Sequence, residues 1–89
     1  MITTMVFNAV ITENNEGDIN TRVTVFKSFE SAAKYLSIEY DAYKVKFSDD
    51  DLTDFGIDIK DEKCGVFHLW NGDYNYECKG MVCGCDVLD

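Results

Sequence analysis

Apolar and polar residues alternate strictly at the start of the chain. Met5, Phe7, Ala9 and Ile11 fall on every second position between Thr3 and Thr12, which predicts a strand with one face turned to a core. Glu13-Asn14-Asn15-Glu16-Gly17-Asp18 is dense in turn formers and predicts an exposed loop. Thr21 to Lys27 is rich in β-branched residues and reads as a second strand, antiparallel to the first. At Ser28 the period changes from 2 to 3.6. Ser28 suits an N-cap, and Phe29, Ala32, Ala33, Leu36, Tyr40 and Tyr43 recur along one helical face. Glu30 and Lys34, four apart, belong to the opposite, solvated side.

Beyond the helix, Val45–Phe47 suggests a short strand. Ser48, with Asp51 three residues on, resembles a capping box and predicts a brief acidic helical turn that Gly56 can end. Asn71-Gly72 is the strongest hairpin signal in the chain and, as a two-residue turn, pairs Leu69 with Tyr74 and Phe67 with Tyr76. A second tight turn at Lys79-Gly80 then opposes Cys78 to Met81, Tyr76 to Cys83 and Tyr74 to Cys85. Alternation gives a core face with Phe67, Leu69, Tyr76, Cys78, Met81, Cys83 and Cys85. The outer face carries His68, Trp70, Asp73, Glu77, Val82 and Asp86. The expected fold is α+β: an N-terminal hairpin and a C-terminal three-stranded meander in antiparallel sheet, with one main helix and one short acidic turn.

Size changes this picture little. Residues 1–89 make one domain, and 46% hydrophobic and 13% aromatic residues are ample for a core. There is no proline and no linker-like run. The first residues lack a basic segment followed by a long apolar one, and no apolar run approaches the roughly 20 residues of a membrane span. The expectation is a cytoplasmic chain with reduced thiols and no membrane association.

Charge changes the picture more. The net charge is −9, and it is lopsided: residues 1–47 carry six acids and five bases, residues 48–89 eleven acids and three bases. Such a chain disfavours direct contact with nucleic acid or anionic lipid and favours a basic protein.

Cys64, His68, Cys78, Cys83 and Cys85 are numerous enough for a tetrahedral zinc, but no Cys-x2-Cys occurs, and His68 alternates away from the late cysteines. A calcium-loop template starting at Asp51 places Gly56 sixth and Glu62 twelfth, yet its fifth position is Phe55, which has no oxygen to offer. Cys64 and His68, four apart on a strand, are separated by roughly 13 Å, too far for a nucleophile and its base. No phosphate loop, nucleophile elbow or zinc-protease motif is present, so neither an enzyme nor a cofactor is implied.

The acids are the remaining signal. Helix-dipole and capping effects account for two or three of Asp49, Asp50 and Asp51. They do not account for Asp54, Asp58, Asp61, Glu62, Asp73, Glu77 and Asp86, which follow with only Lys60, Lys63 and Lys79 among them. Together with Asp49, Asp50, Asp51 and Trp70, a residue suited to anchoring an interface, these acids form the expected partner-binding surface.

An acidic chain under 100 residues, with a hairpin, the helix Ser28-Phe29-Glu30-Ser31-Ala32-Ala33-Lys34-Tyr35-Leu36 and an aspartate-rich second half, resembles small phage-encoded anti-defence proteins. Anti-CRISPR proteins and DNA-mimic inhibitors are of this type. The resemblance is one of overall character, and no functional residue carries over from it. It implies a non-enzymatic inhibitor, acting in the cytoplasm of a bacterial host. Its partner would be a basic nucleic-acid-binding protein such as a CRISPR effector or another defence nuclease. The rival readings are a small zinc or calcium module and a housekeeping interaction subunit, and self-association through the Trp70 face is compatible with the same pattern.

Overall fold

The computed structural model describes residues 3–47, 51–60, 64–72 and 75–88. Five strands and one helix follow one another as β1 (Thr3–Asn15), β2 (Asp18–Phe26), α1 (Phe29–Lys44), β3 (Asp54–Lys60), β4 (Cys64–Asn71) and β5 (Tyr76–Leu88). The strands form one antiparallel sheet in the order β2-β1-β5-β4-β3. The fold is therefore α+β, with an N-terminal hairpin and a C-terminal meander of β3, β4 and β5. The two parts join through β1 and β5, which pair along their whole length from Thr3–Leu88 to Asn15–Tyr76.

The β1–β2 hairpin closes tightly because Glu16 (φ 55°) and Gly17 (φ 94°) both take the left-handed conformation, as a two-residue type I′ turn requires. The Asn14 side-chain oxygen accepts the Gly17 N–H at 2.9 Å, so β1 runs on through residues expected to be loop. The helix starts where the sequence places it. Ser28 is extended, and its hydroxyl accepts the Ser31 N–H at 3.2 Å, satisfying one of the unpaired donors of the first turn.

Helix α1 lies on one face of the sheet and runs antiparallel to β5. Phe29 meets Phe7 edge-on at 5.8 Å, Tyr40 meets Phe67 at 5.6 Å, and Phe47, just past the helix, meets Tyr76 at 5.0 Å. Ala32, Leu36 and Tyr40 are buried against Ala9, Ile11, Leu69, Cys78 and Val82. Each large side chain buried here contributes about 1.5–3 kcal/mol. Thickness is the notable dimension. The Cα atoms span 51 × 24 × 15 Å, room for a sheet and one helix and no third layer, and the radius of gyration is 14.4 Å. A compact chain of this length would have about 12 Å.

Four expectations are corrected. Val45 and Lys46 form a turn rather than a strand. Residues 48–50, where the acidic helical turn would begin, lie outside the described residues; Asp51 sits in a 3-10 turn, and Gly56 lies within β3 rather than ending a helix. No turn interrupts β5 at Lys79-Gly80. Gly80 faces Phe67 across the sheet, and a Cβ there would collide with the Phe67 ring. Glycine is needed for that close approach, not for a turn. The β4–β5 connection is also longer than a two-residue turn, with Asn71 opposite Tyr76 and Asn75 in the left-handed region (φ 51°).

Candidate functional site on the uncovered sheet face

Removing the turn at Gly80 reverses the second half of β5. Val82 is fully buried under the helix, whereas Met81, Cys83 and Cys85 point to the other face, contrary to the sequence expectation. Only Cys78 of the four cysteines is buried. Its thiol is pushed up to about 12, first by burial and then by the neighbouring Glu13 charge. Asp86 pairs with Met5 on the helix side of the sheet, away from Trp70. It therefore leaves the surface to which the sequence assigned it.

The face without a helix is built by simple alternation. It receives Ile19, Thr21, Val23 and Val25 from β2, and Val6, Asn8, Val10, Thr12 and Asn14 from β1. From β5 come Glu77, Lys79 and Met81, from β4 Val66, His68 and Trp70, and from β3 Asp54 and Asp58. Ile19, Val23 and Val25 are about three-fifths exposed, and Met81, Val66 and Trp70 about two-fifths. Single exposed apolar residues need no explanation, but a contiguous set across four strands, β2, β1, β5 and β4, is more than a free surface ordinarily shows. A trough of about 730 Å³ on this face is lined by Val10, Val66 and Met81 together with Asp58, Glu77 and Lys79.

The face divides electrostatically. The β2–β1 half carries no charged side chain, whereas the β5–β4–β3 half carries Asp54, Asp58, Glu77, Lys79 and His68. Trp70 stands between two carboxylates, paired with Asp54 on one side and Glu77 on the other. His68, two residues back on the same strand, sets Nδ1 3.3 Å from Asp54 and Nε2 3.4 Å from Glu77, and Lys79 Nζ lies 3.5 Å from Glu77. These contacts are partly exposed, so each is worth less than about 1 kcal/mol. Their consequence is positional: they hold two carboxylates beside the indole.

Of the residues singled out from the sequence, Asp54, Asp58, Trp70 and Glu77 come together here. Asp51 lies elsewhere, beside Glu13, Glu16, Lys46 and Tyr76 at a smaller hollow. Asp49, Asp50, Asp61, Glu62 and Asp73 lie outside the described residues. Sequence reasoning missed the neutral half. Its signal was present, since Val6 and Val10 alternate with the core-facing set of β1, and Ile19, Val23 and Val25 give β2 an apolar face opposite its polar Asn20, Arg22 and Thr24.

Among the described residues, no group of three or more His, Cys, Asp or Glu is arranged to hold a metal ion. Asp54 and Glu77 approach different nitrogens of His68 and so do not converge on one point. The calcium-loop template fails structurally, because Asp54 to Lys60 is extended strand and cannot wrap an ion. Among the described residues, no helix is long and apolar enough to cross a membrane. No family model matches the chain, and no curated protein or solved structure matches it at a significant level.

Proposed function

We propose that this protein is a non-enzymatic binding module that docks a basic protein partner on the uncovered sheet face. The observation that carries this reading is the juxtaposition on one surface of the uncharged, apolar β2–β1 half with Trp70 flanked by Asp54 and Glu77, and with Asp58 further along β3. An interface of standard size buries about 800 Å² on each partner. A face about 24 Å across, with strands of up to 13 residues, is large enough to supply it.

The apolar half would supply the buried centre of such an interface and the carboxylates its specificity and encounter rate. A pure polyanion mimic needs charge alone; this surface suits a partner with basic residues bordering an apolar patch. A second copy of the chain fits less well, because its net charge is also −9. Facing copies would set carboxylates against valines or against each other. Nucleic-acid-binding proteins, host defence nucleases among them, have the required basic character, and the chain would act on them by occupying their surface. Catalysis has little support, since both His68 nitrogens are engaged by carboxylates and neither is presented to a nucleophile.

The test is affinity capture from lysate with four baits: the wild-type chain, Met81→Asp, Asp54→Lys, and Ile38→Asp on the exposed side of the helix. The proposal expects a basic protein held by the wild-type and Ile38→Asp chains, released by salt and lost with the other two. Capture that survives both sheet-face substitutions, or that Ile38→Asp alone abolishes, would exclude this face as the docking site. A wild-type chain that pairs only with itself would replace the basic partner with a homodimer.

A further inference from the structure

We propose that Cys64 and Cys83 form a thiol–disulfide exchange site that can be closed into a bond linking β4 to β5. This inference is independent of the docking partner. It rests on geometry that selects one pairing among four cysteines. Cys64 and Cys83 are direct cross-strand partners on the uncovered face, and both are exposed. Directly opposed residues in an antiparallel pair have Cα atoms about 4.5–5.5 Å apart, within the range of about 4.4–6.8 Å that a disulfide accepts.

The other pairings fail. Cys78 points to the opposite face and is fully buried. Cys83 and Cys85 share one strand face, with Cβ atoms about 6.6 Å apart, whereas a disulfide needs about 3.8 Å. Cys64 and Cys85 are diagonal neighbours at about 7–8 Å.

The co-reactant is a low-molecular-weight disulfide of the glutathione class. Partial desolvation and the neighbouring Cys64 thiol hold the Cys83 thiol above its ordinary value. The Cys64 thiolate attacks one sulfur of the external disulfide. That S–S bond breaks, and one small thiolate leaves and takes up a proton. Cys83 then loses its proton and attacks the Cys64 sulfur of the mixed disulfide, and the second small thiol leaves. Two protein thiols are oxidised by two electrons, one external disulfide is reduced to two thiols, and the Cys64–Cys83 bond remains. The bond would lie one side-chain position along each strand from Val66 and Met81, fixing the β4–β5 pairing beside the trough.

The full chain is to be incubated with a series of oxidised-to-reduced glutathione ratios, trapped in acid and analysed by mass spectrometry with and without reductant. The expected product is a monomer about 2 Da lighter. In it, tryptic peptide 64–79 is linked to peptide 80–89, and the link is reversed by dithiothreitol. Cys85→Ser and Cys78→Ala should leave that product unchanged. Cys64→Ser or Cys83→Ser should abolish it and leave a glutathione adduct on the remaining partner. Stable adducts on both Cys64 and Cys83 of the wild-type chain, a link that requires Cys85, a link only between chains, or no oxidation at any ratio would each overturn the proposal.

Discussion

The two faces of this sheet are made from the same strands, yet they behave as different materials. On the helix side, Ala9, Ile11, Leu69, Cys78 and Val82 are at most 1% exposed, and glycine replaces any side chain that would obstruct the Phe67 ring. On the other side, valines, a methionine and a tryptophan stand in solvent beside carboxylates. The difference shows that one helix is enough to complete the core of this chain. A 16-residue helix is about 24 Å long and can shield only one face. The apolar residues left on the second face are not needed to close the core, which is why they are read as a surface for a partner.

That contrast can be tested by matched substitutions. The largest difference is expected between Leu36→Ala and Val23→Thr. Leu36 is fully buried, and its truncation should cost about 2–5 kcal/mol in chemical denaturation. Val23 is 61% exposed, and its replacement should change stability by less than about 0.5 kcal/mol. Comparable losses at the two sites would mean that the second face is covered in the free protein.

Next in size is Gly80→Ala, which forces a methyl group against Phe67 and should destabilise the fold by about 1–3 kcal/mol. Combining it with Phe67→Leu should cost less than the two single changes added together, because the shorter side chain makes room. Strict additivity would break the account of Gly80 as a close-approach glycine.

The cysteines sharpen the contrast at high pH. A raised folded-state value means that the native chain holds the Cys78 proton more tightly than the unfolded chain does. Its contribution to stability is complete below the ordinary value of 9.0 and is lost as pH rises toward about 12. Within that window the loss should approach about 1.4 kcal/mol per pH unit. Denaturation midpoints from pH 8 to 11.5 should fall less steeply for Cys78→Ala than for the wild-type chain. An unchanged slope would place Cys78 outside the core.

Much of this architecture was legible. The two strands of the β1–β2 hairpin and the helix were readable because each has a clean period, and the helix also has a local start signal in the Ser28 cap; the connection was read too long, as a loop over 13–18, where β1 and β2 run on to a two-residue turn. The inward face of β4 was readable because Phe67 and Leu69 alternate with His68 and Trp70. β3 was hidden in plain sight: Phe55, Ile57 and Ile59 alternate with Asp54 and Asp58, but the acidic run drew attention to a helical turn. Gly80 could not have been read locally. A Lys-Gly pair is a turn signal in isolation, and what decides otherwise is the Phe67 ring across the sheet, a contact of tertiary origin. That one residue set the face of Met81, Val82, Cys83, Cys85 and Asp86. For the site, the acids flanking Trp70 were foreseeable from composition. The apolar half was not, because a strand with two apolar faces normally signals burial on both sides.

The central claim is that the uncovered face is where this protein meets its partner. Its most direct test is the affinity of the captured partner for the wild-type, Met81→Asp, Asp54→Lys and Ile38→Asp chains, measured by titration calorimetry at two salt concentrations. Met81→Asp and Asp54→Lys should each weaken binding by about tenfold or more, the first at both salt concentrations and the second chiefly at low salt. Ile38→Asp should bind as the wild-type chain does. Wild-type affinity in both sheet-face variants, or a loss confined to Ile38→Asp, would contradict the account.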